Sequence, residues 1–334
     1  IAIANSERFR ARLSSYYTEE YSIDAEEAVT NIWRYAYSCG LEFGVDGRSR
    51  VDRPIIFTIF SNSNYQKIIR VPFSIVALTE CNATYAELKV KVQGLALLDE
   101  DSRIVELGIL ERKIKQNLYN PKLAIYSVAT HCLANSIKLD EALQSYEFSA
   151  ALATFCLNLP EILFHSLNIP EEFNVWGDRV QALQKLADPG FAFLIISNQA
   201  PKYQKDISVE QWLTEAIRNS GLPSLELINQ LTLEQMKGLD NQILDGDHID
   251  RLIHLLCIGR KNFIERGVWG KNILSMENLI GNSIKLPPVC LGDGYITPVT
   301  INTMPTNRRV LEQWIEQVIK IESSMNSFIR ACRL

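Results

Sequence analysis

From Pro121 to the C-terminus, apolar residues recur at helical spacing, and the pattern predicts one helix after another. Helices are expected over 121–137, 140–159 and 160–168. Asp140 is a candidate N-cap, and Pro160 and Pro170 mark the next two starts. Residues 150–159 are apolar nearly all round, which marks a helix buried at the centre of a lobe. A helix over 175–186 runs into the turn signal Asp188-Pro-Gly190. Beyond it Ser208 caps a helix over 208–219, short helices follow through Lys237, and another covers 248–266. After Gly281-Asn282 come a loop and short strand over 287–300. The chain closes on an amphipathic helix over 307–333, built on Val310, Trp314, Ile315, Val318, Ile321, Met325 and Phe328.

The N-terminal part is mixed. Helices are expected over 6–17, which carries Arg8, Arg10 and Arg12, and from Ser22 through Ile32, Trp33 and Tyr37. Ser22 or Asp24 would cap the second and Gly40 would close it. Gly44-Val-Asp-Gly47 with Arg48, Arg50 and Arg53 reads as an exposed basic loop. Pro54 then starts the clearest strand, Ile55-Ile-Phe-Thr-Ile-Phe60, which ends at the turn cluster Ser61-Asn-Ser-Asn64. Residues 67–71 return as a second strand. Over 85–98, Leu88, Val90 and Val92 alternate with Glu87, Lys89 and Lys91 as in a half-buried strand, yet a helix also fits. Residues 103–117 read as a charged amphipathic helix. The expected fold is mainly α with a small β element (α+β) at about 54–93, in two helical lobes, 1–188 and 189–334, divided near Asp188-Pro-Gly190.

Composition narrows the class. The chain has 334 residues, 47% hydrophobic and 22% charged, which suits a folded globular protein with a large core. A net charge of −5 leaves no global basic field, so an anionic partner has to be held by a local patch. The seven cysteines are dispersed and form no C-x-x-C pair, which points to reduced thiols in a cytosolic or nuclear setting. The longest apolar stretches, 150–159 and 191–196, fall short of the roughly 20 residues that span a bilayer, so no membrane association is expected. No secretory h-region opens the chain, and the missing initiator Met suggests a processed start.

Candidate chemistry is sparse. His131 and His165 sit in apolar helical stretches and read as packing residues. His131 and Cys132 are adjacent and point about 100° apart, so they cannot share a metal. His248 and His254 miss the i, i+4 spacing of a helical metal pair. Asp245-Gly-Asp247-His-Ile-Asp250 fails as a calcium loop, because the glycine and carboxylate positions hold Asp250 and Leu256. Gly292-Asp-Gly294 lacks the helix and lysine of a phosphate loop, and no nucleophile motif occurs. No catalytic residue, metal or cofactor is therefore expected. The enzymatic alternative would assemble a metal site from scattered carboxylates such as Asp46, Asp52, Glu87, Asp245 and Asp247, the first three caricaturing an acidic residue followed by Glu87-Leu-Lys89.

What remains is basic residues interleaved with aromatics: Arg8, Arg10 and Arg12; Arg48, Arg50 and Arg53; Arg260, Lys261, Arg266 and Lys271; and Arg308 with Arg309. Tyr16, Tyr17, Tyr65, Phe263 and Trp269 lie near some of them. Cationic groups bind phosphates and aromatic faces stack bases without reading sequence. The stretch 258–271 also reads as a solvated helix end whose cations complement the C-terminal dipole. The nucleic-acid reading makes Arg48, Arg50, Arg53, Arg260, Lys261, Arg266 and Lys271 phosphate contacts, with Phe263 and Trp269 as stacking residues.

Two short motifs carry a resemblance. His131-Cys-Leu-Ala134 and Ser145-Tyr-Glu-Phe148 are similar to the N-R-L-A and G-Y-E-F motifs of emaravirus nucleoproteins, matching at Leu133, Ala134, Tyr146, Glu147 and Phe148. His131, Cys132 and Ser145 replace the Asn, Arg and Gly. An acidic, helical, two-lobed body with dispersed basic clusters likewise resembles a negative-strand RNA virus nucleoprotein. The resemblance implies a non-enzymatic, nucleocapsid-like structural protein. It would bind single-stranded RNA in a basic groove between the lobes and form a homo-oligomer through terminal helices, in cytoplasm, nucleus or virion. The binding-module alternative is a helical scaffold that contacts proteins and no nucleic acid.

Overall fold

The computed structural model describes residues 16–21, 33–43, 48–239, 257, 259–264, 320, 323 and 327. Four strands, β1 (Glu19–Glu20), β2 (Arg34–Phe43), β3 (Ser49–Ser61) and β4 (Lys67–Pro72), form one antiparallel sheet in the order β1-β4-β3-β2. Eight helices follow among the described residues: α1 (Ile75–Leu95), α2 (Glu100–Leu118), α3 (Ala124–Ile137), α4 (Ala142–Leu157), α5 (Asp178–Lys185), α6 (Pro189–Gln199), α7 (Val209–Asn219) and α8 (Leu225–Leu239). The fold is mainly α with a small antiparallel β element.

The sheet is larger on its N-terminal side than the sequence pattern suggests. Residues from Arg34 onward, expected to end a helix, form β2, because Trp33, Tyr35, Tyr37 and Cys39 alternate and place every second side chain on the core. Gly40 closes no helix. It lies in mid-strand, where an added Cβ would stand 2.5 Å from the Tyr16 hydroxyl and 2.8 Å from the Phe57 ring. In β3 the alternation sends Ile56, Thr58 and Phe60 into the interior. The return strand expected at 67–71 is β4. The alternation over 85–98 loses to the helical period: Ala77, Leu78, Cys81, Tyr85 and Leu88 are buried at spacings of three and four, and Val90 is left exposed on α1.

The interior is one continuous apolar cluster reaching from Trp33 and the sheet through α1, α3, α4 and α6 to Trp212 on α7 and Phe263. The apolar stretch 150–159 lies at its centre, with Leu152, Ala153 and Phe155 fully buried in α4. Asp140 does not cap α4; Glu141 takes that place without a side-chain hydrogen bond. Pro160 and Pro170 each precede a 3-10 turn, Glu161–Ser166 and Glu171–Trp176. Gly177, at φ 55°, separates the second turn from α5, which therefore starts after the expected 175.

Asp188-Pro-Gly190, expected as the lobe boundary, starts α6. The Asp188 carboxylate accepts from the Phe191 amide at 2.8 Å, and the helix from Gly190 to Ser197 is buried. Gly190 is small for a reason: a Cβ there would meet the Phe73 carbonyl at 2.7 Å. Ser208 caps α7 in a full capping box with Gln211. Of the expected helix over 248–266, residues 257 and 259–264 are described, and they are helical. Most of 6–17, most of 307–333 and the strand over 287–300 lie outside the described residues.

Candidate nucleic-acid interface

Arg50 and Arg53 do not form a loop but lie at the start of β3, and Arg48 immediately precedes the strand; residues 48–53 are all exposed. The β2–β3 register jumps here: Leu41 faces Pro54, while the next residue, Glu42, faces Arg50. Val51, Asp52 and Arg53 are thus inserted in β3 as a bulge, and Pro54 follows where its missing amide breaks no ladder bond. A bulge bends the strand and re-aims its side chains, which carries this arginine segment out of the packed part of the sheet. Val51 is 76% exposed.

Aromatic rings gather at the same end. Phe43 faces Ser49 across the hairpin. The Tyr16 ring meets Phe43 edge-on at 4.8 Å and Tyr17 at 5.3 Å. The Tyr16 hydroxyl donates to the Leu41 carbonyl at 3.0 Å and accepts from the Leu41 amide at 3.2 Å, so it satisfies backbone groups beside the bulge. The Tyr17 hydroxyl accepts from the Phe43 amide at 3.2 Å. Tyr16 is held from below by Arg70, whose guanidinium lies over the Phe57 ring at 5.1 Å and donates to the Tyr16 carbonyl at 2.6 Å. Tyr17 and Phe43 remain half-exposed.

The charges at this end are exposed. Arg53 reaches Glu42 at 3.5 Å, but both side chains are about half exposed and such a pair holds weakly. Among the described residues neither Arg50 nor Asp52 has an ion-pair partner.

The second candidate group is spent differently. Arg260 is half-buried and donates to the Met236 carbonyl of α8 at 2.7 Å. Phe263 belongs to the core, so its ring is not presented to a base. Lys261 is exposed. Arg266, Trp269 and Lys271 lie outside the described residues. Of this second group, Lys261 is therefore the described residue whose side chain is exposed.

Sequence reading passed over Arg34, whose guanidinium lies 4.6 Å over the exposed Tyr65 ring, and the basic end of α2 with Arg112, Lys113 and Lys115. Arg34 was hidden by the helix expected there. Tyr65 had been noted as an aromatic near basic residues, but its partner had not.

Among the described residues no group of three His, Cys, Asp or Glu side chains could hold a metal ion. Glu87 pairs with Lys91 on α1 at 3.9 Å, Asp52 lies on β3, and Asp46, Asp245 and Asp247 are outside the described residues. Burial pushes the thiols of Cys81 and Cys132 up to about 12 and that of Cys39 to about 11, so none is a nucleophile near neutrality. His131 is buried and its Nε2 donates to the Leu118 carbonyl at 2.7 Å. A cleft of about 280 Å³ beside β4 is lined by Val71, Pro72, Pro121 and Ile125, with Glu20 and Lys122 as its charged groups. The motif residues Leu133, Tyr146 and Phe148 are core side chains, and Glu147 accepts from the Tyr85 hydroxyl at 3.0 Å.

In comparisons with known proteins, no protein family, curated protein or solved structure matches the chain. No helix among the described residues is long and apolar enough to cross a membrane.

Proposed function

We propose that the protein is a non-enzymatic assembly protein that binds single-stranded RNA without sequence preference and self-associates. The observation that carries the RNA part is the bulged β3 segment, which presents Arg48, Arg50 and Arg53 together at the end of the sheet where Tyr17 and Phe43 are half-exposed. Cations placed along a strand at its roughly 3.3 Å rise can follow a phosphate backbone, while the rings accept unstacked bases. Neither group reads base edges, which is why the binding is general. The acidic remainder of the chain confines RNA to this patch.

Titrating a labelled homopolymeric RNA with the protein at increasing KCl tests the reading. Affinity is expected to fall log-linearly with salt. A protein with no salt-sensitive RNA binding at low ionic strength contradicts it. The protein-scaffold reading draws on one observation, the exposed apolar ridge of α2, and predicts purified material without nucleic-acid absorbance that still associates.

A further inference from the structure

Helix α2 is only half packed. Its buried side chains are Ile114 and Leu118, at the C-terminal end, whereas Ile104, Val105 and Ile109 are 63%, 60% and 44% exposed. On a helix of 3.6 residues per turn, Asp101, Val105, Gly108, Ile109 and Arg112 fall within an arc of roughly 100°, with Ile104 at its edge. That stripe is acidic at one end, apolar in the middle and basic at the other. Asp101 opens it, and Arg112 closes it with Lys115 at its edge.

Charges of this order also suit the helix dipole, but the dipole acts only within the first and last turns. It explains neither the bare apolar centre nor the glycine. Gly108 is a helix-weakening residue in mid-helix, and among the described residues a Cβ built on it would meet nothing within 4 Å, so none of them requires its absence. Arg112 Nε reaches back to the Gly108 carbonyl at 3.3 Å, and among the described residues neither Asp101, Glu100, Arg112 nor Lys113 has an ion-pair partner.

We propose that the outward face of α2 is a self-association surface whose occupant is α2 of a second copy, packed antiparallel across a twofold axis. The sequence of the stripe is complementary to its own reverse. With the axis level with Glu106 and Leu107, Asp101 of one copy faces Arg112 of the other, Ile104 faces Ile109, and Val105 sits over Gly108. A glycine opposite a β-branched residue lets the two helices approach closely at their crossing, and an isologous contact repeats every pairing twice. Leu97 and Leu98, exposed just before the helix, extend the apolar part. One helix of 19 residues, about 28 Å long, buries an area at the low end of specific interfaces, so the contact is weak alone and gains strength within a larger assembly.

The inference rests on the self-association half of the proposed function and not on RNA, so the test uses the full chain free of RNA. Sedimentation is followed against concentration up to about 100 µM for wild type, Asp101→Arg, Arg112→Asp and an equimolar mixture of the two variants. Each single variant sets like charges opposite each other at both ends of the contact and is expected to associate roughly tenfold more weakly or worse. In the mixture, both pairings become attractive again, and association is expected to return as a heterodimer. Folding defects or a purely intramolecular role for the stripe would not produce that rescue. Wild type that associates while both variants match it overturns this interface and leaves the assembly reading standing. Wild type that stays monomeric, as it would if another part of the same chain covered α2, overturns both.

Discussion

Trp33 and His131 show how a single site carries several levels of the structure. The rings stack at 5.3 Å with 21° between their planes, and Phe60 and Tyr119 meet the imidazole edge-on. Because the partner of Nε2 is a carbonyl, that nitrogen carries a proton. Burial lowers its pKa to about 4, below the ordinary 6.5. The unfolded chain therefore binds a proton that the folded chain refuses between those values. The stability tied to neutral His131 is present above pH 6.5 and is lost as the pH falls toward 4, by about 3 kcal/mol. Asp188, whose carboxyl is raised by burial, contributes with the opposite sign, its share being lost as pH rises through its folded value. Comparing urea unfolding of wild type and His131→Gln from pH 7 to 4 isolates the histidine. The wild type should lose about 3 kcal/mol relative to the variant, which keeps a donor for Leu118 but does not titrate. Parallel pH profiles would remove the buried-neutral assignment. The packing role of His131 was legible in the sequence, since its neighbours are apolar. The Trp33 stack was not, because it joins residues far apart in the chain.

At the scale of elements, legibility followed the strength of the period. Helices α4 and α7 stand where an apolar run and the Ser208 cap announce them, whereas α6 starts at Asp188-Pro-Gly190, which was read as a turn. β2 was missed because its Trp33, Tyr35, Tyr37 and Cys39 alternation is built from aromatics and a cysteine, which also fit a helix stripe. The arginine segment was recognised as exposed and basic but taken for a loop. Its bulge follows from pairing with β2, which no local pattern reports. α2 was read correctly as charged and amphipathic, yet only the structure shows that its outward face is the apolar one. Gly108→Ala tests what that face is for. Added to a solvated helix with open space around it, the methyl should stabilise the isolated chain by about 1 kcal/mol in thermal or urea unfolding, while weakening self-association by crowding the crossing point. Stabilisation with undiminished association would detach Gly108 from the interface.

The described residues share one continuous core, and two outward features stand out on it: the arginine and aromatic end of the sheet, and the unpacked face of α2. Both were expected only as classes of residue in the sequence. Charge and aromatic content announced a local anion patch on an acidic chain, but not which basic group would stand exposed. Arg260 and Phe263 looked the stronger pair by sequence, and folding turns them inward, one to the Met236 carbonyl and one into the core. Arg48, Arg50 and Arg53 keep their place at the surface. If they track the RNA backbone, each phosphate they neutralise contributes about 0.7 to the slope of log affinity against log salt for a single strand. The decisive measurement is therefore that slope in wild type and in the triple variant Arg48→Gln, Arg50→Gln, Arg53→Gln, taken with the same homopolymeric RNA. The slope should become shallower by about 2, with weaker binding at every salt concentration. An unchanged slope, with wild-type affinity, would place RNA elsewhere on the molecule or nowhere.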